Sequence, residues 1–153
     1  MFFIKSDKGN MYICRKHILL VDDEELFLKS LIEGLESNCG GFEILTAENG
    51  KKAVEVFRSG LKIDLMVTDL SMPEMNGFEL LAFVKKNFPA TPALVLTGAV
   101  TPEIEEHLKS IGDYDCIEKT IEFDNLWKRV ISRLDLPSAH PVFFHKAIDN
   151  RIH

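Results

Sequence analysis

The sequence predicts an α/β fold: a doubly wound parallel sheet with helices on both faces. Three observations carry this expectation. Short apolar, strand-like runs alternate with segments of helical period along the whole central part of the chain, which is the pattern of strands buried beneath crossover helices. Glycine and proline stand at the junctions, as at Gly40, Gly41, Gly60, Pro89 and Pro92, where the backbone has to stop one element and begin the next. Polar groups recur directly after the apolar runs, at Asp22, Asp23, Asp69, Thr97 and Lys119. A doubly wound sheet binds its ligands in the crevice outside the carboxyl ends of its strands, so these residues are the candidate site.

The first strand is read at His17 to Val21, and Leu28, Leu31, Ile32 and Leu35 then follow at helical spacing, with Gly40 and Gly41 as the stop. Phe42 to Ala47 forms a second strand. Asn49 is placed to cap a helix that turns Ala53, Val56 and Phe57 inward and closes at Gly60. The third strand runs into Asp69 through Leu65-Met66-Val67-Thr68, and Leu81, Val84 and Phe88 mark the helix behind it. Pro89 and Pro92 end that helix, because proline cannot continue the backbone ladder.

Ala93 to Leu96 is the fourth strand, and Thr101-Pro102 reads as a helix start, with Ile104 and Leu108 inward. Cys116 and Ile117 lie in the fifth strand. Phe123, Leu126, Trp127, Val130, Ile131 and Leu134 then form one apolar stripe on the last helix. Trp127 is expected in the core. Right-handed crossovers leave few topologies open once these elements are accepted.

With 153 residues and 46% hydrophobic content, the chain suits one globular domain, residues 16–134, flanked by an N-terminal extension (1–15) and a C-terminal tail (135–153). The formal net charge of -6 argues against general nucleic-acid binding, which needs a basic face to neutralise phosphates. Cys14, Cys39 and Cys116 form no Cys-x-x-Cys pair, so neither a disulfide framework nor a zinc site is expected. No apolar run approaches the ~18 residues that span a bilayer. Lys5, Asp7 and Lys8 stand where a signal peptide would be apolar. A cytoplasmic protein without membrane insertion is expected.

The ordered motifs are Val-Asp-Asp at 21–23, Thr-Asp-Leu-Ser-Met-Pro-Glu-Met-Asn-Gly at 68–77, Thr-Gly-Ala at 97–99 and Glu-Lys at 118–119. On these residues the chain, from about Lys16 to Leu134, resembles response-regulator receiver domains of two-component signalling, of the stand-alone chemotaxis-regulator kind. The resemblance implies a flavodoxin-like five-stranded sheet in the order 2-1-3-4-5. It also implies that Asp69 is the phosphoryl acceptor and that Asp22 and Asp23, with Asp69 and the backbone carbonyl of Ser71, hold Mg2+. Thr97 would be the switch hydroxyl and Lys119 the partner of the phosphate.

The chemistry of these residue types agrees. An aspartate can hold a phosphoryl group as an acyl phosphate, neighbouring carboxylates repel one another unless a cation joins them, and magnesium prefers oxygen donors. Taken singly, Asp22 and Asp23 would merely serve a helix dipole, Thr97 would be an ordinary strand end and Lys119 a solvated charge. Their joint placement favours function.

Two positions depart from the family pattern. Cys116 stands where an aromatic residue is usual, with Tyr114 two positions away, and Thr120 follows Lys119 where proline in a cis peptide is usual. A cis bond before a non-proline residue costs about 2.5–4 kcal/mol, so trans is expected here. The resemblance implies a histidine kinase or histidine phosphotransfer protein as donor and a downstream protein target or a second copy as partner; the acidic net charge argues against direct contact to nucleic acid. The acidic start of the fourth helix, Glu103, Glu105 and Glu106, suits a basic partner.

Two alternatives stand beside this reading. One is a pseudo-receiver scaffold that signals without phosphorylation, as Cys116 and Thr120 allow. The other is an aspartate-nucleophile phosphatase, against which Asp69 is followed by Leu70 and Ser71 and makes no Asp-x-Asp motif.

Overall fold

The computed structural model describes residues 3–5, 11–13, 16–38 and 42–134. Strands β1 (Phe3–Lys5) and β2 (Met11–Ile13) pair with each other, antiparallel, as a separate two-stranded sheet. Among the described residues, the N-terminal extension pairs only with itself and adds no edge strand to the main sheet. That sheet is built from β3 (Lys16–Val21), β4 (Phe42–Ala47), β5 (Leu65–Thr68), β6 (Ala93–Thr97) and β7 (Asp115–Glu118). All its pairings are parallel, in the order β4-β3-β5-β6-β7. Numbered along the sheet-forming strands alone, this is the flavodoxin-like order 2-1-3-4-5.

Five helices follow the strands: α1 (Glu25–Asn38), α2 (Gly50–Arg58), α3 (Gly77–Asn87), α4 (Pro102–Ile111) and α5 (Phe123–Arg133). Their starts are set locally. The Asn49 side chain accepts the Lys52 amide proton at 2.9 Å to open α2. Asn76 and Glu79 form a reciprocal capping box on α3. Thr101 accepts from the Ile104 amide ahead of α4, whose first residue is Pro102. At the end of α2, Gly60 takes φ +86°, a conformation that costs glycine nothing.

Strand side chains alternate between two cores, because successive residues point to opposite faces. Leu19, Val21, Met66, Ala93 and Val95 pack with the helices α2, α3 and α4 on one face. Ile18, Leu20, Leu65, Val67, Leu94, Leu96 and Ile117 pack with α1 and α5 on the other. Both faces are covered, which is why the strands read as unbroken apolar runs. Trp127 is buried as expected, its ring 5.7 Å from that of Phe42. Four core residues beyond the sequence expectation are Val54, Ile63, Leu70 and Leu80, all buried. Gly40, Gly41, Cys14, Cys39 and the tail 135–153 lie outside the described residues. No described helix is long and apolar enough to cross a membrane.

Candidate acidic site at the strand ends

The sheet register brings the predicted residues together. Val21 at the end of β3 pairs with Thr68 at the end of β5, so the residues that follow them, Asp22 and Asp69, are neighbours. The ladder continues one step past the strands: the Asp69 amide donates to the Val21 carbonyl at 2.9 Å and the Asp22 amide to the Ala47 carbonyl at 3.1 Å. Thr97 closes β6, buried, and its carbonyl accepts the Lys119 amide proton at 2.8 Å. Adjacent strand ends thus deliver two acids and an amine to one place, with Thr97 at the strand end between Asp69 and Lys119.

The Lys119 ammonium is the centre of this arrangement. Its Nζ lies 2.7 Å from Asp22 Oδ2, 3.0 Å from Asp69 Oδ2 and 2.6 Å from Glu24 Oε1. Three N–H donors meet three carboxylate oxygens. The peptide between Lys119 and Thr120 is trans, as expected, and the side chain spans the remaining distance to Asp69.

Burial opposes the charge on Lys119, but the three carboxylates override it and hold the ammonium's pKa well above the ordinary lysine value. Asp22 responds in the other sense. Its burial raises the carboxyl's pKa, only partly offset by the hydrogen bonds from Lys119 and from the Glu24 amide, while the Asp69 charge pushes it up further.

The loop that begins at Asp69 is held by backbone contacts. Asp69 Oδ1 accepts the Leu70 amide proton at 2.7 Å and the Ser71 amide at 3.4 Å, which leaves Oδ2 facing Lys119. Thr68 donates its hydroxyl to the Asp69 carbonyl at 2.8 Å. Gly77 passes so close that an added Cβ would lie 2.1 Å from the Asp69 carbonyl oxygen. Only glycine fits there. Glu74 takes φ 63°, a left-handed conformation that costs a non-glycine residue roughly 1–2 kcal/mol, and the Met75 carbonyl beyond it accepts the Gly50 amide at 3.1 Å.

The expected metal set is only partly gathered. Asp22, Glu24 and Asp69 offer carboxylate oxygens all within 4.8 Å of one another. Asp23 is exposed and is not one of these three. The chain turns from strand to helix at this point, with Asp22 buried and Asp23 exposed. Glu24, whose amide donates to Asp22 Oδ1 at 2.9 Å, comes round to the site instead. Sequence reasoning missed Glu24, although the acidic run Asp22 to Glu25 was its signal. It also missed Phe27, whose ring centroid lies 4.7 Å from Lys119 Nζ.

Tyr114 and Cys116 pack against the same core cluster, consistent with the two-residue spacing that keeps a side chain on one face. His17 has a structural role, its Nδ1 3.0 Å from the Lys62 carbonyl.

The chain's relatives agree with this geometry. The sequence profile of the response regulator receiver domain matches residues 18–131. The transcriptional regulatory protein GlrR of Escherichia coli (strain K12) is 32% identical over 121 residues, 78% of this chain and 26% of that protein. The transcriptional regulatory protein CrdR of Helicobacter pylori is 32% identical over 117 residues, 76% of this chain and 54% of that protein. The chain thus spans about a quarter to a half of the length of these two relatives.

Among solved structures, the CheY-like response regulator receiver domain protein of Methanospirillum hungatei JF-1 superposes with a TM-score of 0.70 at 27% identity, covering 78% of this chain and 94% of that one. The signal receiver domain of an HD domain-containing protein from Pseudomonas fluorescens Pf-5 gives 0.73 at 25% identity, with the same coverage. Fold, strand-end acids and matched profile converge: the chain belongs to the response regulator receiver domain family.

Proposed function

We propose that this chain is a phosphoacceptor switch of a two-component or phosphorelay system, taking a phosphoryl group on Asp69. The observation that carries the reading is the buried Asp69 carboxylate with one oxygen fixed by backbone amides and the other 3.0 Å from the Lys119 ammonium. In the transfer, Asp69 Oδ2 attacks phosphorus and the bond from phosphorus to the donor breaks. A histidine kinase or histidine phosphotransfer protein would regain a neutral imidazole. Transfer of this kind is mostly positioning and charge stabilisation. Lys119 neutralises one phosphoryl oxygen and Thr97 donates its hydroxyl to another.

The donor set fits Mg2+: it is all oxygen, with Asp22, Glu24 and Asp69 converging on one point. Asp22 and Asp69, with Asp23 and the Ser71 carbonyl as the family pattern implies, would hold the ion. Bound there, it offsets the negative charge of the acids and of the incoming phosphoryl group. Lys119 sits among the same carboxylates, so it has to yield part of its contact with Asp22 and Glu24 as the site fills.

The added group brings about -1.5 to -2 charges beside Thr97, Gly98 and the start of α4. Whichever surface arrangement offers it better contacts gains population. The exposed Glu103, Glu105 and Glu106 at that helix suit a basic partner protein, and the family pattern would place a second copy on the same region. A scaffold that signals without phosphorylation is favoured by one observation, Cys116 at the usual aromatic position.

The test separating the two is intact mass after incubation with a small-molecule phosphodonor, with and without Mg2+. One phosphoryl group gained only with Mg2+, and none by Asp69→Asn, is the expected result. A wild-type protein that stays unlabelled where an ordinary receiver is labelled would leave the scaffold reading in its place.

A further inference from the structure

We propose that Phe27 is a positioning residue for Lys119, its ring face forming a wall that keeps the ammonium directed at the Asp22–Asp69 pair. The ring centroid lies 4.7 Å from Nζ, within the ~6 Å range of a cation–π contact. At that separation no water fits between them. Phe27 comes from the first turn of α1 and is half-buried, lining a small cavity together with Asp22, Asp69, Thr68 and Leu96. It therefore reaches the depth of the carboxylates.

A lysine ammonium rides on a flexible four-carbon stem and takes whichever acid offers the best contact. One competitor is Glu24, with its side chain 61% exposed and only 2.6 Å away. Among the described residues, every ionic partner of Lys119 is a carboxylate that a cation or a phosphoryl group would also engage. The Phe27 ring is neutral, attracts the ammonium through its negative face, and is left unchanged by either event. It is the contact that persists while the others exchange.

This inference deepens the phosphoacceptor reading but has a test of its own. Phe27→Leu keeps apolar bulk and removes the ring; Phe27→Tyr keeps both. The first readout is the NMR position of the Lys119 ε-methylene, identified by its loss in Lys119→Met. The ring face is expected to shift this resonance upfield in the wild type and in Phe27→Tyr, and not in Phe27→Leu. The second is the saturating rate of phosphoryl uptake, expected to fall about three- to tenfold in Phe27→Leu, the strength of a partly desolvated cation–π contact. Phe27→Tyr should restore it, with Mg2+ affinity, read by calorimetry, unchanged in both variants.

An unshifted wild-type resonance overturns the proposal whatever the protein's activity. So does a Phe27→Leu rate equal to wild type, or a Phe27→Tyr rate as slow as Phe27→Leu. If the wild type takes no phosphoryl group, the phosphoacceptor reading fails and the resonance alone decides the placement of Lys119.

Discussion

Replacing Lys119 by methionine isolates the charge at the centre of the site, since methionine keeps an unbranched apolar stem. The change leaves Asp22 and Asp69, with side chains 4% and 6% exposed, without their shared cation. Removing one partner of a buried ion pair costs about 3–5 kcal/mol. The loss has a ceiling, because the fold can take up a proton on one acid instead of bearing the repulsion. Protonating an ordinary aspartate at pH 7 costs about 1.36 × (7 − 3.9), or about 4 kcal/mol. The same sum at pH 5 gives about 1.5 kcal/mol.

The sign follows from Asp22, whose pKa is already raised by burial and rises further once Lys119 is gone. The folded variant then binds more protons than the unfolded chain above the ordinary aspartate range, so its stability falls as pH increases through that window. Urea melts should show a deficit of about 3–4 kcal/mol at neutral pH, or roughly 10 °C in melting temperature, shrinking by half or more at pH 5. Mg2+ should raise the melting temperature of the variant more than that of the wild type, because it replaces the missing charge. A variant as stable as wild type at pH 7, or a deficit that does not shrink on acidification, would refute the reasoning.

Two further outcomes follow from the geometry. Gly77→Ala drives a Cβ into the Asp69 carbonyl and the Leu70 Cα, both backbone atoms that no rotamer change can move aside. It should cost about 2–4 kcal/mol in urea melts and reduce phosphoryl uptake even at temperatures where the variant is folded. The Cys116 thiol is pushed above its ordinary pKa by burial first and then by Glu105, Asp115 and Glu118. In a Cys14→Ser, Cys39→Ser background, its alkylation followed by mass should stay slow at neutral pH and rise to half-maximum only above the ordinary thiol value of about 8.5; half-maximal reactivity at or below that value would contradict it.

Much of the fold was legible because each strand and helix carries its period on its surface. β4 is found at the residues read from the apolar run, 42–47, and α4 begins at the Pro102 read as its first turn. The Asn49 and Thr101 caps have the sequence-local partners expected of them, because a cap reaches only two or three residues along the chain. The β1–β2 hairpin was not read, since its strands are three residues each and too short for alternation to register. Val54 and Leu80 were missed as core residues because periodicity alone does not show how wide the covered face of a helix is.

The candidate site divides in the same way. By itself the sequence determined which groups stand at the carboxyl ends of the strands, because strand ends are a local property and parallel strands share one direction. Asp22, Asp69, Thr97 and Lys119 were therefore legible before any coordinates. Only the tertiary structure decided which side chains converge: Glu24 rather than Asp23 on the Lys119 ammonium, and Phe27 across it. Those choices depend on the angle at which α1 leaves β3 and packs against the sheet. That angle is set by contacts among Leu20, Leu31, Leu35, Leu96 and Trp127 on the buried face. These residues are separated by up to 107 positions, from Leu20 to Trp127, and carry no local mark of one another, so the packed core alone supplies that information.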